Sequence, residues 1–383
     1  MQYKRDTSLC PTSCALPDCR MFRRFFVSSV ISNQNTVLKN RFVSPTLHLA
    51  KQTQKGFMAT MAQSENTGAK PMSDYEKFIF DLNGYIILRN VLSAEEVESM
   101  NKAVDCHKDE VRARTEAALK NTKSNTSLSA SGSRQDLGGM LGWESPHGDM
   151  FRRLLAHPKV SPYLVALCGE GYRLDHQPLV LLQNKNSEGF SLHGGPLSGH
   201  DGVPEGRFNP ELQYHCRNGS IWNSLLAMEV CLSDAGEGDG GFCVVKGSHK
   251  LNFSVPTAFA NGQVEGFEEH VHQPAVKAGD IVFFSEATVH GAMAWKADHE
   301  RRLALYRFSP SNFAYGRAYL NQFGDNVINQ CTPQQAAVLA PPYAVRLQRP
   351  CVTEEGENGE LKQYKRSPEK MAHDIAVFGS EYF

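Results

Sequence analysis

Between Arg173 and Phe308, short apolar runs alternate with turns rich in Gly, Pro and Asn, and this rhythm restricts the fold more than any other feature of the chain. The runs at 173–183, 188–193, 220–232, 242–246, 270–276, 280–285 and 301–308 read as strands. Most are too short, and too closely bounded by turn residues, for a stack of amphipathic helices. Strands of this kind bury their apolar faces as a sandwich or jelly roll. The segment in front reads differently. YEKFIFDLNGYIILRNVL (75–92) offers a helical apolar face, a turn at Asn83-Gly84 and a short strand from Tyr85 to Leu88. Ser93-Ala-Glu-Glu96 is a capping box, and the helix it opens is expected to pass Val97, Met100, Ala103 and Val104 and run to about Lys120. A polar, Ser-rich loop follows at 121–136, then helices over Met150–Ala156 and Val160–Cys168. The expected architecture is mainly β, buttressed by helices, without internal repeats.

Composition narrows the function classes. With 41% apolar residues, 21 Phe and 12 Tyr among 383 residues, the chain can build a sizeable core in one large or two small domains. A formal net charge of −1 with both signs mixed lacks the basic face that nucleic acid requires. No run approaches the roughly 18 apolar residues of a membrane span. The ten cysteines form no C-x-x-C pair, and although Cys10, Cys14 and Cys19 cluster, no partner follows at zinc spacing. They read as reduced thiols. Nothing in the sequence sets an oligomeric state.

Three segments of the strand-rich half carry chemistry together. Leu192-His193-Gly194-Gly195 closes one expected strand. In AGDIVFFSEATVHGA (278–292) a Gly-Asp turn launches an apolar strand that ends beside His290. RRLALYRFSP begins at Arg301, 11 residues further on. One histidine among 14 means little, and a basic residue at a strand start is usually solvated. The order and spacing of all three hold the information.

That order resembles the non-haem Fe(II)/2-oxoglutarate oxygenases, and among them the phytanoyl-CoA dioxygenase family, over about residues 74–310. The DLNGYIILRNVLSAEE entry, the Asp239-Gly-Gly-Phe-Cys-Val-Val-Lys-Gly-Ser-His-Lys250 turn and the KAGDIVFFSEATVHGAMAW segment carry the resemblance. It implies a double-stranded β-helix, the cupin-like jelly roll, spanning 72–320 with a helical N-terminal part. The leader 1–71 and a C-terminal extension 321–383 lie outside that domain. The implied cofactors are Fe(II), 2-oxoglutarate and O2. His193 and His290 are the implied metal ligands, and Arg301 (with Arg302 as second choice) the cation for the far carboxylate of 2-oxoglutarate, which a guanidinium binds through two parallel hydrogen bonds. His249, in the Gly-Ser-His-Lys turn, is expected to be structural. Ala292 stands where some members carry a hydroxyl that assists the cosubstrate.

The family's first histidine is followed two residues later by Asp or Glu, and here that residue is Gly195. Four readings follow. Gly195 could open a halide position, so that chloride binds iron and the enzyme chlorinates its substrate. A carboxylate could come from elsewhere: Glu286, four residues before His290; Asp201, in the glycine-rich loop after His193; or Glu229, charged in the middle of LLAMEVCL. Two histidines and water could hold the metal. Lastly, the domain could be an inactive binding module. The expected reaction is hydroxylation of an unactivated C–H bond in a small organic or lipid-like molecule, with chlorination the alternative. His200-Asp201 lacks the intervening residue of His-x-Asp, and His215 has no nearby carboxylate, so neither replaces His193. Substrate contacts are expected from Trp295 and from the long 196–219 segment with Arg207 and Arg217.

From Cys19 to Ser64 there is no acidic residue, while Arg20, Arg23, Arg24, Lys39, Arg41, Lys51 and Lys55 are basic. Such a leader resembles a mitochondrial presequence beginning near Met21. Arg41-Phe-Val-Ser-Pro-Thr-Leu-His48-Leu49 resembles an N-terminal peroxisomal signal instead, and a start at Met58 or Met61 would leave the protein cytoplasmic.

Overall fold

Ser73 and Ser93 each open a helix in the way their spacing predicts. Each hydroxyl accepts the backbone N–H three residues on, and Glu76 and Glu96 reach back to the backbone N–H of their serine. The first helix, α1 (Asp74–Asn83), ends on Gly84, whose left-handed backbone (φ 80°) returns its N–H to Phe80 O. The computed structural model describes residues 70–115, 126–195, 211–316 and 323–380, all within one compact unit. The leader read as a targeting segment, together with His200, Asp201 and Arg207, lies outside the described residues.

Strand β1 (Tyr85–Leu88) follows α1, and α2 (Ala94–Cys106) follows β1. The expectation that α2 runs to about Lys120 fails. The helix stops at Cys106, where His107 folds back onto Ala103 O and stacks on Trp143 with ring centroids 3.9 Å apart. The chain then forms β2 (Arg112–Ala113), which pairs with β3 (Gln135–Leu137) at the end of the supposed loop. Sheet pairing here overrides local helix propensity. Helices α3 (Asp149–Arg153) and α4 (Ser161–Cys168) fall close to their predicted places.

The remaining strands are β4 (Arg173–Gln183), β5 (Phe190–His193), β6 (Tyr214–Arg217), β7 (Ser220–Asn223), β8 (Leu226–Cys231), β9 (Gly241–Val244), β10 (Ile281–Ser285), β11 (His290–Met293) and β12 (Arg301–Ser309). Every pairing is antiparallel. A seven-stranded sheet runs β1-β10-β8-β12-β4-β3-β2, a three-stranded sheet runs β5-β11-β9, and β6-β7 is a separate hairpin. The two larger sheets are the halves of the double-stranded β-helix. The run 220–232 is two strands, broken where the buried Asn223 donates to Leu167 O and Ser224 N–H to Gln213 O. The run 270–276 forms no strand and contributes only isolated bridges at His272 and Val276.

Period-two alternation sorts the large sheet into two faces. Val180 and Leu182 of β4, Met228 and Val230 of β8, Phe283 of β10 and Tyr306 and Phe308 of β12 pack under the helices. Each fully buried aromatic or aliphatic side chain there contributes about 1.5–3 kcal/mol of transfer free energy. Their neighbours Leu181, Ala227, Phe284, Leu303 and Leu305 face the smaller sheet, where Phe242 and Val244 meet them. That second face also carries Gln183, Glu229, Arg301 and Arg307, polar groups that a purely structural interior would not use. The segment after β12 completes the helix-side core, to which Phe323, Val327, Val338, Leu339 and Val352 belong. The seven cysteines among the described residues are free thiols.

Candidate active site

β5 and β11 lie side by side with His193 and His290 as register partners, and the two rings stand 4.2 Å apart at 53°. Each Nδ1 lies against a backbone carbonyl two residues upstream, His193 on Ser191 O (3.0 Å) and His290 on Thr288 O (2.7 Å). A carbonyl only accepts, so each Nδ1 carries the proton and each Nε2 presents a lone pair. Burial lowers both imidazoles, His193 to about 3 with the help of His290, so both are neutral at physiological pH.

The turn from Glu286 to Val289 joins β10 to β11 and brings a carboxylate to this pair. Glu286 N–H is held by Leu225 O at 3.0 Å, and the residue is 5% exposed. Its Oε2 lies 3.5 Å from His290 Nε2, while Oε1 accepts from Arg307 Nε at 2.5 Å. Burial alone would raise this carboxyl, but the charged, hydrogen-bonded Arg307 above all outweighs it and holds it at about 2. Donor atoms of His193, Glu286 and His290 all lie within 4.8 Å of one another, and no other His/Cys/Asp/Glu group among the described residues converges so closely. Two neutral imidazoles and one ionised carboxylate form a donor set suited to a divalent first-row metal, Fe(II) included.

Of the two glycines after His193, the first has a steric reason and both have a left-handed backbone. Gly194 (φ 87°) faces the Glu286 turn so closely that a Cβ would stand 2.5 Å from Glu286 O and 2.6 Å from Thr288 O. Gly195 (φ 77°) continues the left-handed backbone beside Ala287 and Val289. Gly194, next to the position where the family carries its carboxylate, thus packs directly against the turn that carries Glu286.

A cavity of about 250 Å³ opens from this cluster between the sheets. Arg301, at the start of β12, is 7% exposed there, donating from Nη1 to Gln183 Oε1 at 2.7 Å, with Nη2 3.8 Å from Glu229 Oε2. Burial pushes the Glu229 carboxyl up to about 7 against the pull of Arg301 and Arg307. Glu229 thus stands with Arg301 and is not one of the converging donors. Arg302 points to the opposite face, where it holds Glu300 at 2.5 Å and Asp105 of α2 at 2.7 Å; it is structural and does not reach the cavity. Two expectations about the pocket are corrected. Trp295 is fully buried, with its Nε1–H on His299 O at 2.7 Å, and Arg217 sits on the exposed β6-β7 hairpin; neither lines the cavity. His249 donates from Nε2 to Asp81 O (3.0 Å) beneath α1, and His215 stacks on Trp222.

Three cavity arginines escaped the sequence reading. Arg307 had a signal, because strand alternation from Arg301 puts 303, 305 and 307 on one face. Arg134 and Arg114 had none, since they flank strands hidden in a polar stretch. Arg134 is 7% exposed, lies 5.1 Å over the Phe190 ring, and pairs from Nε with Asp136 Oδ1 at 3.4 Å. Burial lowers it to about 10, still cationic. The wall thus offers four guanidinium groups, of which Arg114 and Arg134 share Asp136, Arg307 holds Glu286 and Arg301 stands beside Glu229, with Leu179, Phe190 and Phe284 supplying apolar surface. Such a wall favours anionic ligands.

The phytanoyl-CoA dioxygenase family profile matches residues 80–303, a span that contains His193, Glu286, His290 and Arg301. Among solved structures, HygX from Streptomyces hygroscopicus with nickel, 2-oxoglutarate and hygromycin B bound is similar, with TM-score 0.52 at 20% identity over 63% of this chain and 89% of that one. HygX with iron bound gives 0.50 at 22% identity over 64% and 89%. At these identities the likeness establishes a common fold. No curated protein is significantly similar in sequence to this chain. The fold, the converging donors and the match over more than half of its length agree: the chain belongs to the phytanoyl-CoA dioxygenase family of non-haem Fe(II)/2-oxoglutarate-dependent oxygenases.

Proposed function

We propose that this protein hydroxylates an unactivated C–H bond of a small organic molecule, holding Fe(II) through His193, Glu286 and His290 and the far carboxylate of 2-oxoglutarate through Arg301. The observation that carries this reading is the Glu286 carboxylate beside both imidazoles, within 4.8 Å donor to donor. When bound, the metal and cosubstrate supply the oxidising chemistry: substrate, 2-oxoglutarate and O2 give hydroxylated substrate, succinate and CO2. The protein's own part is positional. The Nδ1–carbonyl bonds fix the ring orientation of both histidines and keep their Nε2 lone pairs facing each other. Arg301, buried and steadied by Gln183, offers a fork to a carboxylate, and Glu229 beside it, with its carboxyl near 7, competes less than an ordinary carboxylate would. Phe242, Phe284 and Leu305 keep the cavity dry enough for those charges to matter.

Glu286 also favours hydroxylation over chlorination, because it supplies the anion that the halide reading assigns to chloride. The test is formation of succinate from 2-oxoglutarate by the Fe(II)-loaded protein without substrate. His193→Ala and His290→Ala are expected to abolish it. Succinate formation that persists in both variants would overturn the assignment.

A further inference from the structure

Building on the reading of Glu286 as a metal ligand, we propose that Arg307 is a positioning residue for it, holding one carboxylate oxygen so that the other alone faces the metal. Three observations carry this. The two oxygens of Glu286 are already divided, Oε1 on Arg307 Nε at 2.5 Å and Oε2 toward His290 Nε2 at 3.5 Å. The pair is sheltered, with side-chain exposures of 6% for Glu286 and 23% for Arg307, so a charge-assisted bond there is far less screened than at the surface. Finally, Arg307 keeps the regular pairing of β12 with β8, opposite Ala227, so a central strand sets its side chain on the same face as Arg301 and Leu305.

The need for such a residue follows from where Glu286 sits. A glutamate in a four-residue turn has three side-chain torsions to fix, and ordering them costs rotamer entropy. A fixed guanidinium on a central strand removes that freedom and blocks the second oxygen from closing a two-oxygen chelate. β12 then serves the site twice, with Arg301 toward the cosubstrate and Arg307 toward the carboxylate.

The test uses Co(II) as a spectroscopic stand-in on the full chain, read by binding affinity and by the visible d–d absorption, with thermal melts to verify folding. Arg307→Met is expected to weaken Co(II) binding by about 10–100-fold, the usual effect of removing an outer partner, and Glu286→Gln, which removes a charged ligand, by at least as much. Arg307→Met should also change the d–d spectrum, Arg307→Lys should recover part of the affinity, and the double variant should be no worse than Glu286→Gln alone. Arg301→Met should raise the KM for 2-oxoglutarate and leave the Co(II) spectrum unchanged. If Glu286→Gln weakens binding while Arg307→Met and Arg307→Lys keep wild-type affinity and spectrum, the positioning role is wrong and Glu286 stands as ligand. If Arg307→Met binds more tightly, the ion pair competes with the metal, and the positioning role is again wrong. If Glu286→Gln itself binds as wild type, the ligand reading fails first. Should Arg307→Met not fold, Arg307→Lys decides, since an ammonium keeps the charge but not the planar donor.

Discussion

Arg301 and Arg302 are adjacent and chemically identical, yet the pleat gives them different work. Arg301 turns into the cavity beside Gln183 and Glu229, and Arg302 turns out to Glu300 and Asp105. Arg301→Met is expected to raise the KM for 2-oxoglutarate at least about tenfold, since it removes a charge-assisted pair worth about 1.5–3 kcal/mol. Arg302→Met should leave that KM unchanged and cost about 1 kcal/mol or less, because its ion pairs are near the surface. Steady-state kinetics and urea denaturation of the two variants check this, and equal KM effects would contradict it. The order and spacing of His193, His290 and Arg301 marked them as one constellation, the family resemblance implied their roles, and the structure gathers all three on one cavity. Glu286 could be named among three candidate carboxylates but not ranked, because its approach depends on a turn that closes only when Gly194 admits it. Asp201 lies outside the described residues, and Glu229 stands beside Arg301.

At the scale of elements, the junction of α1 and β1 shows how a turn read from two letters can brace a distant site. Gly84 has φ 80°, and its carbonyl accepts both Ser285 N–H (3.0 Å) and Thr288 Oγ1–H (3.0 Å). A Cβ at Gly84 would stand 2.4 Å from Thr288 Oγ1 and 2.6 Å from His249 Nδ1. Thr288 O in turn anchors His290 Nδ1. Gly84→Ala is therefore expected to destabilise the protein by about 1–3 kcal/mol and to weaken metal binding as well, through the 286–289 turn. Chemical denaturation and Co(II) titration together check it; a stability loss without any change in metal affinity would separate the turn from the site. The longer strands and capped helices were legible because period-two patterning and Ser-x-x-Glu boxes are local signals. β2, β3 and β11 were not, being two to four residues long and defined only by their partners. The overlong α2 erred for the same reason, since its end is set by contacts with Trp143 and by sheet pairing.

Across the whole molecule, the polar C-terminal stretch hid its contribution because its apolar residues are spaced singly. Phe323, Val327, Val338, Leu339 and Val352 close the helix-side core, and the fully buried Arg349 donates to Pro341 O (2.6 Å) and Ala337 O (3.4 Å) behind α5 (Pro333–Leu339). The same core buries His157, remote from the cavity, where burial and then Arg153 lower the imidazole to about 4. The unfolded chain takes up that proton near pH 6.5, whereas the folded chain resists it until about 4. Its contribution to stability is thus complete above pH 6.5 and is lost as the pH falls through that window. We expect Tm to decline between pH 6.5 and 4, and His157→Gln to flatten part of the decline; an unchanged slope in the variant would assign it to other groups.

The central claim is that Glu286 completes the metal site beside two glycines, and the most direct measurement needs no substrate. Fe(II) and 2-oxoglutarate are added to the protein without oxygen, the visible charge-transfer band of the chelate is recorded, and chloride is titrated. Glu286 as ligand requires a band in the wild type that is indifferent to chloride, lost in His193→Ala and His290→Ala, and weakened or made chloride-sensitive in Glu286→Gln. A wild-type band that shifts saturably with chloride, and is unaltered by Glu286→Gln, would mean that Gly195 keeps a halide position open and that the carboxylate serves only Arg307.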